Sequence, residues 1–198
     1  MNEKQTGWAF VAMQVALLAL VIFLPTGTDW ERTPSVQAVG LFLNVAGLAL
    51  LALGALGLGR SLTPTPVPVE SGELKTTGLY SRMRHPIYSG VILLAIGIAG
   101  ASGSILRVLA TLALIGFFYL KARWEEDRLV KKFGREYEAY AARVNRFLPT
   151  PNAKIKAANS AAKQKATEEP DLPTATKRGY TEGKGRPTPK RPPKKRKR

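Results

Sequence analysis

Four apolar stretches separated by polar breaks occupy the chain before Lys121, and hardly any apolar run follows it. The first, Trp8 to Leu24, is 17 residues without a charge, stopped by Pro25-Thr26-Gly27. A hydrocarbon core of ~30 Å needs ~20 apolar helical residues, with ~17 at the lower limit, so this stretch predicts a transmembrane helix. A secretory signal peptide is the competing reading. Against it, Lys4 is offset by Glu3 and no small-x-small site precedes Pro25. Val36 to Gly59 is a second uncharged run of 24 residues, with Gly40, Ala46, Gly47, Ala49, Ala52 and Gly54 in it. Small residues at such spacing let membrane helices approach closely. Pro86 to Ala101 is a third run, and Ser104 to Leu120 a fourth with a single interior charge, Arg107. Arg107 is near the start of its run, close enough to an interface to snorkel.

The polar breaks differ in character. Residues 26–35 are short and carry Asp29, Glu31 and Arg32. Residues 61–85 include Thr63-Pro64-Thr65-Pro66-Val67-Pro68, whose prolines deny them a helix. Ser102-Gly103 is a tight turn, so the third and fourth runs form an antiparallel hairpin. Counting outward from that turn, His85 and Leu120 fall at equal depth. The polar cluster Lys121-Ala122-Arg123-Trp124-Glu125-Glu126-Asp127 therefore emerges beside Arg84-His85-Pro86. Beyond it, Leu129, Phe133, Tyr137, Tyr140 and Val144 share one helical face, with Gly134 a break between two short helices. Four divisions follow: two membrane helices over 1–60, a proline-containing loop over 61–85, a hairpin with covering helices over 86–150, and a tail over 151–198.

Charge sharpens this picture. The net charge is +16, of which Pro151 to Arg198 supplies 15 basic and 4 acidic residues. Large apolar residues are scarce there, which predicts a disordered basic tail. Such a tail attracts anionic lipid head groups or nucleic acid, with nucleic acid the weaker expectation for a multispan membrane protein. A bland solvated tail is the alternative. Lysine and arginine favour the cytoplasmic side. Break 26–35 has one basic residue and 101–104 none, whereas Arg60, Lys75, Arg82 and Arg84 lie between the second and third runs. Four spans with both termini cytoplasmic satisfy this distribution. There is no cysteine and one histidine, His85, which argues against a disulfide scaffold, a cysteine nucleophile and a resident metal. Oligomeric state leaves no mark on the sequence.

The residues Arg84-His85-Pro86-Ile87-Tyr88-Ser89-Gly90, then the hairpin, then Glu125-Glu126 with Leu129, Phe133-Gly134, Tyr137, Tyr140 and a closing Arg146-Phe147-Leu148-Pro149 form a specific combination. It resembles the isoprenylcysteine carboxyl methyltransferase and phospholipid methyltransferase superfamily of membrane enzymes over residues 74–149. The resemblance implies an all-α integral membrane bundle that uses S-adenosylmethionine as methyl donor. Carried over by position, His85, Tyr88, Gly90, Glu125, Glu126, Tyr137 and Tyr140 would line the cofactor pocket. Arg84, His85, Arg123 and Glu125 would serve the reaction or hold carboxylates. The implied acceptor is a lipophilic small molecule or lipidated substrate reaching the site from the bilayer, a prenylcysteine carboxylate first and a phospholipid amine second. A sulfonium is attracted to carboxylates and aromatic faces, which suits these residue types.

Each residue also has an ordinary reading. His85 alone could be an interfacial histidine. Glu125-Glu126-Asp127 alone could be a solvated helix end paired with Arg123 or Arg128. Tyr137 and Tyr140 could be interface-belt aromatics, and Gly97 and Gly100 packing residues. A non-catalytic anchor whose working part is the basic tail is the alternative function of a different class.

Overall fold

The computed structural model describes residues 2–59 and 73–168. Among these there are six α-helices and no strand: α1 (Glu3–Phe23), α2 (Pro34–Leu58), α3 (Pro86–Ser102), α4 (Ile105–Phe133), α5 (Arg135–Arg143) and α6 (Asn152–Glu168). The proline-rich stretch expected as a loop and the most basic part of the tail lie outside the described residues.

Local chemistry sets the boundaries. Asn2 and Gln5 form a reciprocal cap on α1, which ends before Pro25. Thr33 caps α2 by accepting from the Val36 N–H, with Pro34 in the first turn. The carboxylate of Asp29 accepts from the Ile105 N–H at 2.8 Å, capping α4 from another part of the chain. Gly103 and Gly134 take positive φ values of 67° and 53°, ending α3 and α4 where a β-carbon would be strained.

α2 and α3 pack antiparallel through interlocking glycines, Gly40, Gly47 and Gly54 against Gly90 and Gly97. A methyl group on Gly47 would lie 2.8 Å from the Gly90 carbonyl oxygen, and one on Gly97 2.7 Å from that of Gly40. The backbones touch, as small-residue membrane interfaces allow. α3 also packs on α4, and α4 on α1, around a core of Val21, Ala95, Ala110, Leu114 and Phe118. The large side chains Phe42, Leu56, Leu112 and Leu120 are exposed on the outside of the bundle.

α1, α2 and α4 are long and apolar enough to cross a membrane, and α3 is a shorter apolar helix of 17 residues. The C-terminal end of α3 is tied to the break between α1 and α2. There Gly27 N–H donates to the Ser102 carbonyl at 3.1 Å, Asp29 N–H to Gly103 at 2.9 Å, and the Trp30 indole to Gly100 at 3.0 Å. Arg107 does not snorkel freely. Its guanidinium donates to the carbonyls of Ile22 and Leu24, the unsatisfied C-terminal end of α1.

One expectation for the tail is corrected. Residues 152–168 form a helix rather than disordered chain. Alanine, lysine and glutamine favour helix, and three side-chain bonds fasten it: Arg82 to Asn152, Lys154 to Asn145 and Arg143 to Asn159.

Candidate active site

The polar chemistry gathers where α3 begins. His85 precedes Pro86 and is buried, and the segment leading to it is aligned by backbone bonds. Arg84 N–H donates to the Asn145 carbonyl at 2.9 Å and His85 N–H to that of Arg146 at 3.0 Å, beside a parallel bridge between Met83 and Asn145. Ser89 closes the pairing by donating to the Phe147 carbonyl at 2.7 Å. The two arginine-bearing motifs, Arg84-His85-Pro86 and Arg146-Phe147-Leu148-Pro149, are thus laid side by side.

The hairpin delivers α4 to the same place. His85 Nε2 lies 3.0 Å from Glu126 Oε1. Arg84 donates to both oxygens of Glu126 at 3.0 and 3.2 Å, and Arg146 does so at 2.9 and 2.6 Å. A carboxylate has about four lone-pair positions, so these five contacts saturate Glu126. It can only accept, so a hydrogen sits on Nε2, and Nδ1 faces Glu125, whose Oε2 is 3.8 Å away. Arg84 spends its remaining donors on the Ala141 and Val144 carbonyls at 2.7 and 2.8 Å, at the end of α5. The bond from Glu126 holds the Arg146 guanidinium firmly charged, raising its pKa above the usual value.

Glu125 is different. It accepts from the Tyr88 hydroxyl at 2.8 Å, and its side chain is 26 % exposed. Its other oxygen accepts no hydrogen bond among the described residues. The Tyr88 ring stacks on His85, nearly parallel at 5.2 Å, and on Phe118 at 4.9 Å. Lys121 stands 5.2 Å over the same ring, 2 % exposed, with its ammonium on the side-chain oxygen of Gln14 from α1. Among the described residues no carboxylate lies within ion-pair distance of Lys121.

The expected residues therefore sort into groups. His85, Tyr88, Glu125, Glu126 and Arg84 come together, and Tyr137 and Tyr140 cover them from α5. Arg84 and Glu126 are consumed by each other and by the backbone. Tyr140 donates to the Tyr80 carbonyl at 2.6 Å and is a packing residue. Tyr137 is 2 % exposed, yet its hydroxyl has no partner. Burial, then the Glu126 carboxylate, pushes that hydroxyl well above the usual phenol range, so it stays a neutral donor. Two expectations are corrected. Gly90 faces α2, where a methyl group would come within 2.7 Å of the Gly47 carbonyl, and so does not line a pocket. Arg123 is exposed, turned away from the face of α4 that carries Lys121, Ala122 and Glu126. Sequence reasoning passed over Lys121 and Arg146 as site residues. Arg146 carried a signal, its place in the closing motif; Lys121 carried none that distinguished it from its basic neighbours.

S-adenosylmethionine offers a sulfonium, an ammonium, a carboxylate and a purine nucleoside. The half-open Glu125 beside stacked aromatic rings fits the cationic portion, and the unpartnered Tyr137 hydroxyl fits a polar group of such a molecule. The residues present are compatible with it.

Bundle and site together define an α-helical membrane protein with an ionic site at one mouth of its helical hairpin. The family model described as "Phospholipid methyltransferase" matches residues 35–136. A protein of Oryza sativa subsp. indica named "Probable protein-S-isoprenylcysteine O-methyltransferase" is 37% identical over 118 residues, 58% of this chain and 61% of its own length. Protein-S-isoprenylcysteine O-methyltransferase B of Arabidopsis thaliana is 32% identical over 154 residues, 76% of each chain. The nickel-cobalt-cadmium resistance protein NccN of Alcaligenes xylosoxydans xylosoxydans is 30% identical over 141 residues, 70% of this chain and 62% of its own. The chain spans about three fifths of the length of the rice relative. It belongs to the phospholipid methyltransferase family.

Proposed function

We propose that this chain is a membrane methyltransferase that uses S-adenosylmethionine to methylate the carboxylate of a lipophilic acceptor, with the site facing the cytoplasm. Family membership supports the reaction class, and the names of the plant relatives support a prenylated cysteine as acceptor. The observation that carries the carboxylate is the opposed pair on the Tyr88 ring. An open carboxylate, Glu125, stands at its hydroxyl, and over its face lies a buried lysine, Lys121, with no carboxylate within ion-pair distance among the described residues.

The donor supplies an electrophilic methyl group on a sulfonium. Glu125, oriented by Tyr88, attracts positive charge. Lys121, positioned by Gln14, attracts and orients an acceptor carboxylate. A carboxylate is already a nucleophile, so no proton has to move and positioning provides most of the rate. His85 then acts as a positioning residue, held by Glu126 and stacked on the Tyr88 ring that orients Glu125. An amine acceptor would instead lose a proton, and His85 and Glu125 are the groups placed to take it. α3 is 17 residues, about 25 Å of helix against a hydrocarbon core of ~30 Å. A mouth recessed toward the acyl chains at this end would suit an acceptor dissolved in lipid.

The test uses full-length protein in detergent, methyl-labelled S-adenosylmethionine and an S-prenylated cysteine with a free carboxyl group. Labelled product that releases methanol in mild base is the expected result. Glu125→Gln is expected to weaken donor binding by roughly tenfold or more, the size of one charge-assisted contact. Lys121→Met is expected to raise KM for the acceptor more than it changes donor affinity. Base-stable label on an amine lipid would replace the carboxylate by the amine, and absence of donor binding would remove the enzymatic reading.

A further inference from the structure

The helix after the closing motif has no place in the chemistry above, and its position is telling. The Phe147 carbonyl is bonded by Ser89, in the first turn of α3, so this segment lies level with the mouth. The next residue, Leu148, is 73 % exposed, a large apolar side chain facing outward. α6 begins four residues later, at Asn152, and so starts at the mouth end of the apolar helices, where a bilayer crossed by them would place its head groups.

Its charge is one-sided. α6 holds Lys154, Lys156, Lys163 and Lys165, with Glu168 as its acidic residue. Among the described residues, its side-chain bonds to the rest of the protein leave its lysines without an anion: Asn152 accepts from Arg82, Asn159 accepts from Arg143, and Lys154 donates to the neutral Asn145. Neither Lys154 nor Lys156 is within ion-pair distance of a carboxylate among the described residues. Ile155 and Ala158 are half-buried, while Lys156 and Ser160 are exposed. Ile155 and Ala158 face the protein, and Lys154 and Lys156 are left without a neutralising carboxylate among the described residues.

We propose that α6 is a strap that binds anionic phospholipid head groups through these lysines and holds the Phe147–Pro151 segment against the mouth of the site. The attraction is electrostatic and not an insertion, because the one large apolar side chain of α6, Ile155, is turned toward the protein. It is therefore sensitive to salt and to the charge of the lipid. Other polyanions such as nucleic acid share the charge but not the location.

The chain has no cysteine, so Ser160→Cys offers a unique attachment point for a fluorophore on the exposed side of α6. Full-length labelled protein is reconstituted into vesicles of phosphatidylcholine alone and into vesicles with about 30% phosphatidylserine. Shielding of the label from an aqueous quencher is expected to rise roughly threefold with phosphatidylserine and to vanish in ~1 M salt, where the screening length falls to ~3 Å. Replacing Lys154, Lys156, Lys163 and Lys165 together by Gln should abolish the effect, while replacing all four by Arg should keep it. The Arg variant separates loss of charge from loss of the helix. Equal quenching in the two lipids, or a phosphatidylserine effect that survives the Gln replacements, overturns the proposal. So does a short oligonucleotide that protects the label equally well in phosphatidylcholine vesicles, which would assign α6 to nucleic acid instead.

Discussion

Two tyrosines on one short helix show how burial separates packing from binding. Tyr137 and Tyr140 are both buried on α5, and both were expected at the cofactor. The hydroxyl of Tyr140 is bonded to the Tyr80 carbonyl, whereas that of Tyr137 is bonded to nothing. An unsatisfied buried hydroxyl costs the folded state its lost hydration, while a satisfied one is worth about 1 kcal/mol. Tyr140→Phe is therefore expected to lower stability by about that amount and to leave donor affinity alone. Tyr137→Phe is expected to leave Tm unchanged or slightly raised, and to weaken S-adenosylmethionine binding about fivefold to tenfold, the value of one neutral hydrogen bond. Thermal unfolding and calorimetric titration of the two variants give the comparison. Matching profiles for both would place Tyr137 in the packing class with its neighbour. From the sequence the two residues were equivalent, three positions apart on one apolar face. What distinguishes them is whether a carbonyl 60 residues away falls within reach.

At the scale of elements, glycine positions decide which helices are neighbours. Gly47 and Gly90 lie at a backbone contact, and a β-carbon at Gly47 would be 2.8 Å from the Gly90 carbonyl and from the Leu94 nitrogen. Gly100 and Gly116 have nothing within 4 Å of that position. Gly47→Val is expected to cost ~1–3 kcal/mol through overpacking and to loosen α3, and with it the His85 end of the site. Gly100→Ala and Gly116→Ala should leave Tm unchanged or raise it, since alanine is the better helix former. A Gly47→Val protein that melts like the parent would show that α2 and α3 can separate without consequence. The small-residue character of the second run was legible in the sequence. Its partner was not, since Gly90 reads equally well as a pocket residue when nothing says which face of α3 meets α2. The hairpin register was legible, because equal counting from Ser102-Gly103 fixes depth whatever the packing. The same count says nothing of rotation, so Arg123 and Lys121 could not be told apart.

For the whole molecule, the charge asymmetry and the helix directions bear on orientation together. α1 and α2 are joined by a break whose backbone is bonded to the end of α3 at Ser102 and Gly103, so these loops share one end of the bundle. Arg82, Arg84, Lys121, Arg128 and all of α6 belong to the other end. The excess of lysine and arginine there predicts that it faces the cytoplasm. The basic tail was read from the sequence as unfolded throughout, because composition measures burial and α6 buries little. Side-chain bonds to Arg82, Asn145 and Arg143 hold its first part, and no compositional average contains them. Thr28 is exposed at the first end and Ser160 at the second, and single cysteines there can be probed with an impermeant maleimide. In intact cells Thr28→Cys is expected to react and Ser160→Cys to react only after the membrane is opened. The reverse pattern would invert the protein and move the site to the outer face, away from any cytoplasmic pool of S-adenosylmethionine. Reaction of both in intact cells would mean that the odd number of crossings between them, three by the direction of α2, α3 and α4, has been miscounted. The short helix α3 is where such a miscount would arise, since it is the one whose length falls below the hydrocarbon thickness.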